Sequence, residues 1–246
     1  MITASMAATR AFARRDMGAG YTPLRRRRNA VAAYRVRDHA MAATLHDRIY
    51  VFGGFVFGRA SARVFSLGVD EATWTEQSPM PAPCAAGGAA VIDDRVYLVG
   101  GLEYNGDWIR ETWAYAAAER WVTRLPPAPT ARDHLTVGTY RGRVCAAGGN
   151  GGESAFECFD PVRNEWTSLQ PLRKPIIGGR AVEAANWFWV VGTDVHIFTL
   201  DHWHFGPRLN NSRGGHTLVA IDGTLYVIEG GMGPPYGRIE MLRPQP

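Results

Sequence analysis

A short apolar run closing on glycine recurs five times along this chain: Ile49-Tyr50-Val51-Phe52-Gly53-Gly54, Val96-Tyr97-Leu98-Val99-Gly100-Gly101, Val144-Cys145-Ala146-Ala147-Gly148-Gly149, Phe188-Trp189-Val190-Val191-Gly192 and Leu225-Tyr226-Val227-Ile228-Glu229-Gly230-Gly231. The first glycines stand at 53, 100, 148, 192 and 230, at intervals of 47, 48, 44 and 38 residues. A unit of that length cannot bury its own apolar faces and must stack on its neighbours. The chain is an array of similar units, and its 246 residues fall within the range of a single all-β domain.

Other marks keep step with the glycines. Trp74, Trp121, Trp166 and Trp203 follow them by 21, 21, 18 and 11 residues, and Pro79, Pro126, Pro171 and Pro207 come four or five residues later still. Each tryptophan opens a last strand, and each proline ends it, because proline cannot continue a hydrogen-bonded ladder. Between glycine and tryptophan lies a third strand, as in Val64-Phe65-Ser66-Leu67 or Phe156-Glu157-Cys158-Phe159. Ahead of each glycine run lies a first strand, turning through pairs such as His46-Asp47, Asp93-Asp94, Arg141-Gly142 and Asp222-Gly223. Four short antiparallel strands per unit, with no helix-length amphipathic segment, predict an all-β propeller of about five recognisable blades.

These marks together, over residues 37–246, resemble the kelch-repeat family. The third unit, Phe156-Glu157-Cys158-Phe159-Asp160-Pro161 leading to Asn164-Glu165-Trp166, is most similar to repeats of BTB-kelch proteins. The resemblance implies a kelch-type propeller that binds a partner protein at its channel mouth. A weaker extension of the resemblance is service as a substrate-recognition adaptor of a cullin-RING ubiquitin ligase, which holds if another chain supplies the BTB and BACK domains and fails otherwise. The fifth unit reaches Pro246 without a tryptophan strand, so the sequence predicts either a five-bladed ring or a divergent six-bladed one. A closing strand from before Arg37 would need an aromatic near position 27, with Tyr21 or Tyr34 as substitutes in a shifted register.

Candidate contacts come from the first strands and from the loops. Arg37-Asp38-His39 and Arg132-Asp133-His134 lie at equal distances from their glycine pairs; in the fifth unit His216 keeps the histidine spacing and Arg213 is displaced by one. The resemblance implies that such arginines rim the channel and bind acidic partner segments, for which a guanidinium fork is well shaped. The competing expectation is that they hydrogen-bond backbone carbonyls between blades. His39, His134 and His216 aimed at one axis could also hold a metal, but blades spread around a ring hold them apart, and no metal or cofactor is expected. Phe55, Phe57, Tyr104, Trp108 and Tyr236 lie in loops just after the glycine pairs, where no periodic packing role accounts for them, and are candidate partner anchors. The spaced tryptophans are read as wedges between blades.

Charge and cysteine content narrow the remaining classes. Residues 1–36 hold eight arginines against Asp16, a balance of +7, so the chain's net +4 leaves −3 for the propeller. A basic N-terminal segment on an acidic body argues against nucleic-acid binding by the folded part. The segment is read as a disordered tail, with mitochondrial or nuclear targeting as alternatives to a cytoplasmic location. No apolar run reaches the roughly 18 residues of a membrane span. Cys84, Cys145 and Cys158 are an odd count at spacings that match no zinc or redox motif, so neither a disulfide scaffold nor a structural zinc site is expected and the compartment is read as reducing; with no secretory apolar region read in the N-terminal segment, the Asn210-Asn211-Ser212 sequon is expected to stay unglycosylated. No hydrolase elbow, zinc-protease motif or phosphate loop is present, so an enzyme is not expected. A mutarotase-like activity on a sugar acid, with channel arginines and Glu183 or Asp194 as acid-base groups, is the alternative.

Overall fold

The computed structural model describes residues 37–118, 120–122, 125–210, 215–228, 230 and 239–243. Blade 1 is built from β1 (Met41–Leu45), β2 (Arg48–Phe52), β5 (Val64–Gly68) and β6 (Thr75–Gln77), with a small hairpin of β3 (Phe55–Val56) and β4 (Arg59–Ala60) between its second and third strands. Blade 2 holds β7 (Gly88–Ile92), β8 (Arg95–Leu102), β9 (Trp108–Ala116) and β10 (Arg120–Val122), and blade 3 holds β11 (Thr136–Tyr140), β12 (Arg143–Ala147), β13 (Phe156–Asp160) and β14 (Glu165–Ser168). Blade 4 comprises β15 (Arg180–Ala184), β16 (Trp187–Val191), β17 (Val195–Thr199) and β18 (His202–Phe205), and blade 5 comprises β19 (Thr217–Ile221), β20 (Thr224–Ile228) and β21 (Ile239–Leu242). Every pairing is antiparallel, and no helix forms among the described residues. The structure is a five-bladed β-propeller arrangement.

Inner strands pack in chain order, β1 on β7, β7 on β11, β11 on β15 and β15 on β19. The core accordingly lies between blades rather than inside them. Tyr50, Phe52, Leu98 and Trp113 fill the first seam, Tyr97, Leu135 and Phe159 the second, Tyr140, Phe156, Phe188 and Trp203 the third, and Trp189, Leu218 and Val227 the fourth. Among the described residues no seam of similar extent joins blade 5 to blade 1. The closing strand expected from before Arg37 lies outside the described residues, as does the whole 1–36 segment.

The wedge reading holds for Trp121, Trp166 and Trp203, whose polar atoms explain the prolines, whereas Trp74 packs on Ala40, Ala42 and Val51 of its own blade. Trp121 Nε1 donates to Ser78 O at 3.2 Å, Trp166 Nε1 to Pro126 O at 3.0 Å, and Trp203 Nε1 to Gln170 O at 2.8 Å. Each ring thus grips the proline turn of the preceding blade. Two periodic sequence marks are one contact.

The glycine pairs are required by a close approach between blades. Gly53, Gly100 and Gly148 adopt positive φ of 59°, 61° and 63°, and a Cβ there would strike the carbonyl oxygen of Cys84, Arg132 or Ile176 in the next blade. That same oxygen accepts a bond from the second glycine, Gly54 N at 2.9 Å, Gly101 N at 2.9 Å and Gly149 N at 2.8 Å. A backbone carbonyl of the next blade lies on each glycine pair.

Strand register corrects the alignment of the fifth unit. Met41, Thr136 and Thr217 pair with Phe52, Ala147 and Ile228, so Gly230 matches Gly54 and Gly149 as the second glycine. His216 then falls with Ala40 and Leu135, and it is Gly215, at φ 65°, that takes the place of His39 and His134.

The cysteine reading is also corrected. Cys145 and Cys158 sit directly opposite each other on β12 and β13, with Cα atoms 4.1 Å apart, and form a disulfide. The argument for a reducing compartment falls with it. Cys84 is the buried free cysteine.

Candidate functional site

The two arginines placed at the channel do not face solvent. Arg37 is buried, donates Nη1 to Gly53 O at 2.7 Å and lies 5.0 Å from the Phe65 ring centroid. Arg132 is buried too. Its Nη1 reaches Gly148 O at 3.2 Å and Ala155 O at 3.1 Å, while its Nη2 reaches Ala146 O at 3.2 Å and Glu157 Oε2 at 2.7 Å. Burial pulls its pKa down and the Glu157 carboxylate opposes that pull.

The spacing explains why. Arg37 to Gly53 and Arg132 to Gly148 are both contacts across 16 residues, and so are Cys84 Sγ to Gly100 O, at 3.4 Å, and the packing of Ile176 under Gly192. One slot beneath the first glycine takes arginine, cysteine, arginine and isoleucine in turn. A place that isoleucine fills is a packing position. The arginine clamp for acidic segments is therefore corrected to a staple on strand-end carbonyls. Arg213 lies outside the described residues, and so does Tyr236.

The histidines and loop aromatics, by contrast, meet. Asp38 N and O bond Phe55 O and N at 3.3 and 2.8 Å, and Asp133 makes the same exchange with Asn150. The residue after each aspartate carries its side chain toward the mouth. His39 and His134 rings are 4.8 Å apart in an edge-to-face contact, His39 also lies 5.6 Å from Phe55, and His134 Nδ1 is 2.9 Å from Asp133 Oδ2. Both histidines hold positive φ, 51° and 48°, because their peptides link the blades: Ala86 N donates to His39 O, His134 N to Ala86 O and Gly178 N to His134 O, each at 2.8 Å. His216 is buried away from this pair, so the three histidines do not converge, and no group of three metal-ligating side chains assembles among the described residues.

The β8–β9 hairpin completes the arrangement. Its Tyr104 ring lies 5.3 Å beneath the Arg59 guanidinium of blade 1, and Trp108 lies on blade 3, where a Cβ on Gly151 would come within 2.7 Å of the indole. The contacts run in a circuit from blade 1 through blade 2 to blade 3 and back through His134 to His39. Around it Phe57, Tyr104 and Trp108 are 85%, 56% and 51% exposed, which places three large aromatic side chains at the surface of blades 1 and 2.

Phe57 carries a backbone penalty as well. It forms the β3–β4 turn with Gly58, both at positive φ (52° and 74°), a conformation in which the first place normally goes to asparagine, aspartate or glycine. Holding a phenylalanine there costs about 1 kcal/mol. The sequence put these aromatics on loops, whereas Phe55 opens β3 and Trp108 opens β9, and it missed Arg59, Asp38 and Gly151, which bring these segments together. The Phe57-Gly58 turn was the signal that could have drawn attention to them.

The acid-base candidates of the enzymatic alternative do not converge. Glu183 accepts from Arg141 N at 3.2 Å at the turn between β11 and β12, and Asp194 pairs with Lys174 at 3.4 Å. Arg180, a cation of the inner strands that the sequence reading passed over, donates to Gly179 O at 2.7 Å. Its register matches Met41 and Thr136, both buried in the interblade seams, and burial lowers its pKa with no carboxylate opposing.

Five stacked antiparallel blades with glycine-pair seams define a kelch-type propeller with a loop face that presents aromatics. The sequence model of the KLHDC2/KLHL20/DRC7 Kelch-repeats domain matches residues 27–199, and the chain belongs to the kelch-repeat family. Relatives include beta-scruin of Limulus polyphemus, 27% identical over 80% of this chain and 25% of its own length. Others are Kelch-like protein 26 of Danio rerio, 26% identical over 64% of this chain and 29% of its own, and Kelch-like protein terF of Aspergillus terreus, 30% identical over 60% and 36%. The chain thus spans about a quarter to a third of the length of these relatives. In fold it is similar to the structure of YjhT, with a TM-score of 0.74 at 15% identity, covering 83% of this chain and 80% of that one.

Proposed function

We propose that the chain is a protein-interaction module that grips a partner with the mouth formed by blades 1 to 3. The observation that carries this reading is a set of three contacts between blades, His39 on His134, Arg59 on Tyr104 and Trp108 on Gly151, which gathers the exposed Phe57, Tyr104 and Trp108 of blades 1 and 2. Rigid aromatic anchors on a scaffold are the residues that most often dominate binding energy. The strained placement of Phe57 at a hairpin tip supports it further, since such strain gathers at functional sites. Work as the recognition arm of a ubiquitin ligase is the finer form of the proposal, and it rests on the resemblance of the third unit to BTB-kelch repeats.

Affinity capture with the wild-type chain and with a Phe57→Ser/Trp108→Ala variant tests it. A partner retained by the wild type and lost by a variant of unchanged melting temperature supports the mouth. A partner held equally by both places the interface elsewhere, and a cullin co-captured with the partner would support the ligase role.

A further inference from the structure

The chemistry of the mouth is the reverse of an acidic-peptide site. Its two inner-strand arginines are buried on carbonyls and on Glu157, and Arg59 already lies over the Tyr104 ring. The carboxylates of the rim are held by near neighbours in the chain, Asp38 Oδ1 at 3.3 Å from His39 Nδ1 and Asp107 Oδ2 accepting from Asn105 Nδ2 at 2.7 Å, and each keeps a second oxygen. Asp38 is half exposed and Asp107 exposed on the circuit itself, with Glu103 beside Asp107 and Glu153 just beyond Gly151. Farther along β9, Arg110 and Glu111 cancel. Beneath the rim, Asp133 Oδ2 takes the His134 ring while its Oδ1, buried, has no hydrogen-bond partner among the described residues. That is a carboxylate oxygen short of a donor at the centre of the circuit.

Aromatic faces flanked by carboxylates are the environment a cation prefers. The ring quadrupole attracts an ammonium or guanidinium within about 6 Å of the centroid, and adjacent carboxylates add charge-assisted hydrogen bonds. Arg59 on Tyr104 is an internal instance, which shows that a guanidinium is accommodated at this rim. The propeller body, at −3 for residues 37–246, adds a long-range field of the same sign.

We propose that the segment accepted by this mouth is basic: an extended peptide whose lysine or arginine side chains stack on Phe57, Tyr104 and Trp108 and pair with Asp38 and Asp107. The inference rests on the reading of the mouth as a partner site and specifies that partner's charge. Complementarity of this kind chiefly sets partner choice and association rate, so binding weakens as salt rises.

The test is fluorescence anisotropy with the full chain and two labelled decapeptides of matched length and spacing, one carrying lysine and arginine, the other aspartate and glutamate. The expected result is that the basic peptide binds and the acidic one does not. Asp38→Asn/Asp107→Asn and Phe57→Ser/Trp108→Ala should each weaken the basic peptide by about tenfold at unchanged melting temperature, a loss in the range of a few rim contacts. Binding that appears only when Arg25, Arg26, Arg27 and Arg28 are replaced by serine also supports the inference, with the chain's own basic segment as competitor. Preference for the acidic peptide, lost in the aromatic variant, overturns the charge assignment while leaving the mouth as the site. A basic peptide held equally by all variants overturns it as well, because the contact is then elsewhere. Failure of both peptides with wild type and serine variant overturns it too, and the capture experiment then decides the mouth independently.

Discussion

Arg132→Ala separates a structural arginine from a ligand contact. In the native state the buried guanidinium satisfies Gly148 O, Ala155 O, Ala146 O and Glu157 Oε2. Truncation removes the donor from three carbonyls and leaves Glu157 buried with the Thr130 hydroxyl, 2.6 Å from its Oε1, as its remaining support. Breaking one partner of a buried ion pair costs about 3–5 kcal/mol. For a domain of this size each kcal/mol lowers the melting temperature by about 2–4 °C, which places the expected drop at about 6–20 °C. Thermal unfolding followed by far-UV circular dichroism reads it directly.

A double variant sharpens the argument. Arg132→Leu/Glu157→Leu removes both charges and should recover part of the loss, since a buried ion pair exchanged for apolar packing is often neutral or stabilising. A drop under about 3 °C for Arg132→Ala would refute the staple, being no more than a surface substitution produces. So would unchanged stability with a tenfold loss of affinity for a mouth ligand, which would return Arg132 to the interface.

Gly148→Ala should unfold the protein or lower its melting temperature severely, because the new Cβ strikes Ile176 O at a φ of 63°; a variant melting like the wild type would mean the seam is not as close as described. Phe57→Asn should raise the melting temperature by about 2–4 °C, the yield of relieving about 1 kcal/mol of turn strain, while weakening partner capture. Thiol titration should find no reactive thiol in the native protein, since Cys84 is buried with its pKa pushed up to about 12 and Cys145 is bonded to Cys158; denaturation without reductant should release one thiol, and reductant three. His196 is buried against Trp203 and Phe205, and burial lowers its pKa, so the unfolded chain takes up a proton that the native protein does not. Its contribution to stability is complete above about pH 6.5 and is lost as pH falls below that value; His196→Leu should flatten the fall in melting temperature between about pH 7.5 and about pH 5.5, and an unchanged slope would remove His196 as its source.

The blades were legible in the sequence because their marks are local requirements repeated at each seam. A tryptophan that grips a proline turn and a glycine that admits a carbonyl must recur wherever one blade meets the next. Periodicity therefore exposed strand number, strand order and the wedge role together. The rim aromatics were legible for the opposite reason, since Phe57, Tyr104 and Trp108 break the repeat, although Trp108 opens β9 rather than lying in a loop.

Direction and register were not legible. Arg132 and His134 stand two residues apart in one motif, yet one guanidinium turns into the seam beneath Gly148 while the imidazole meets His39 at the mouth. A shift of one residue in blade 5 moved His216 out of the histidine position. The disulfide likewise depends on Cys145 and Cys158 facing each other across two strands, which a separation of 13 residues does not specify. The sequence alone determined the repeating unit, because each seam makes the same demand on nearby residues. Only the tertiary structure decided which charges remain at the surface, because a side chain's partner is set by the neighbouring strand and blade rather than by its own position in the repeat.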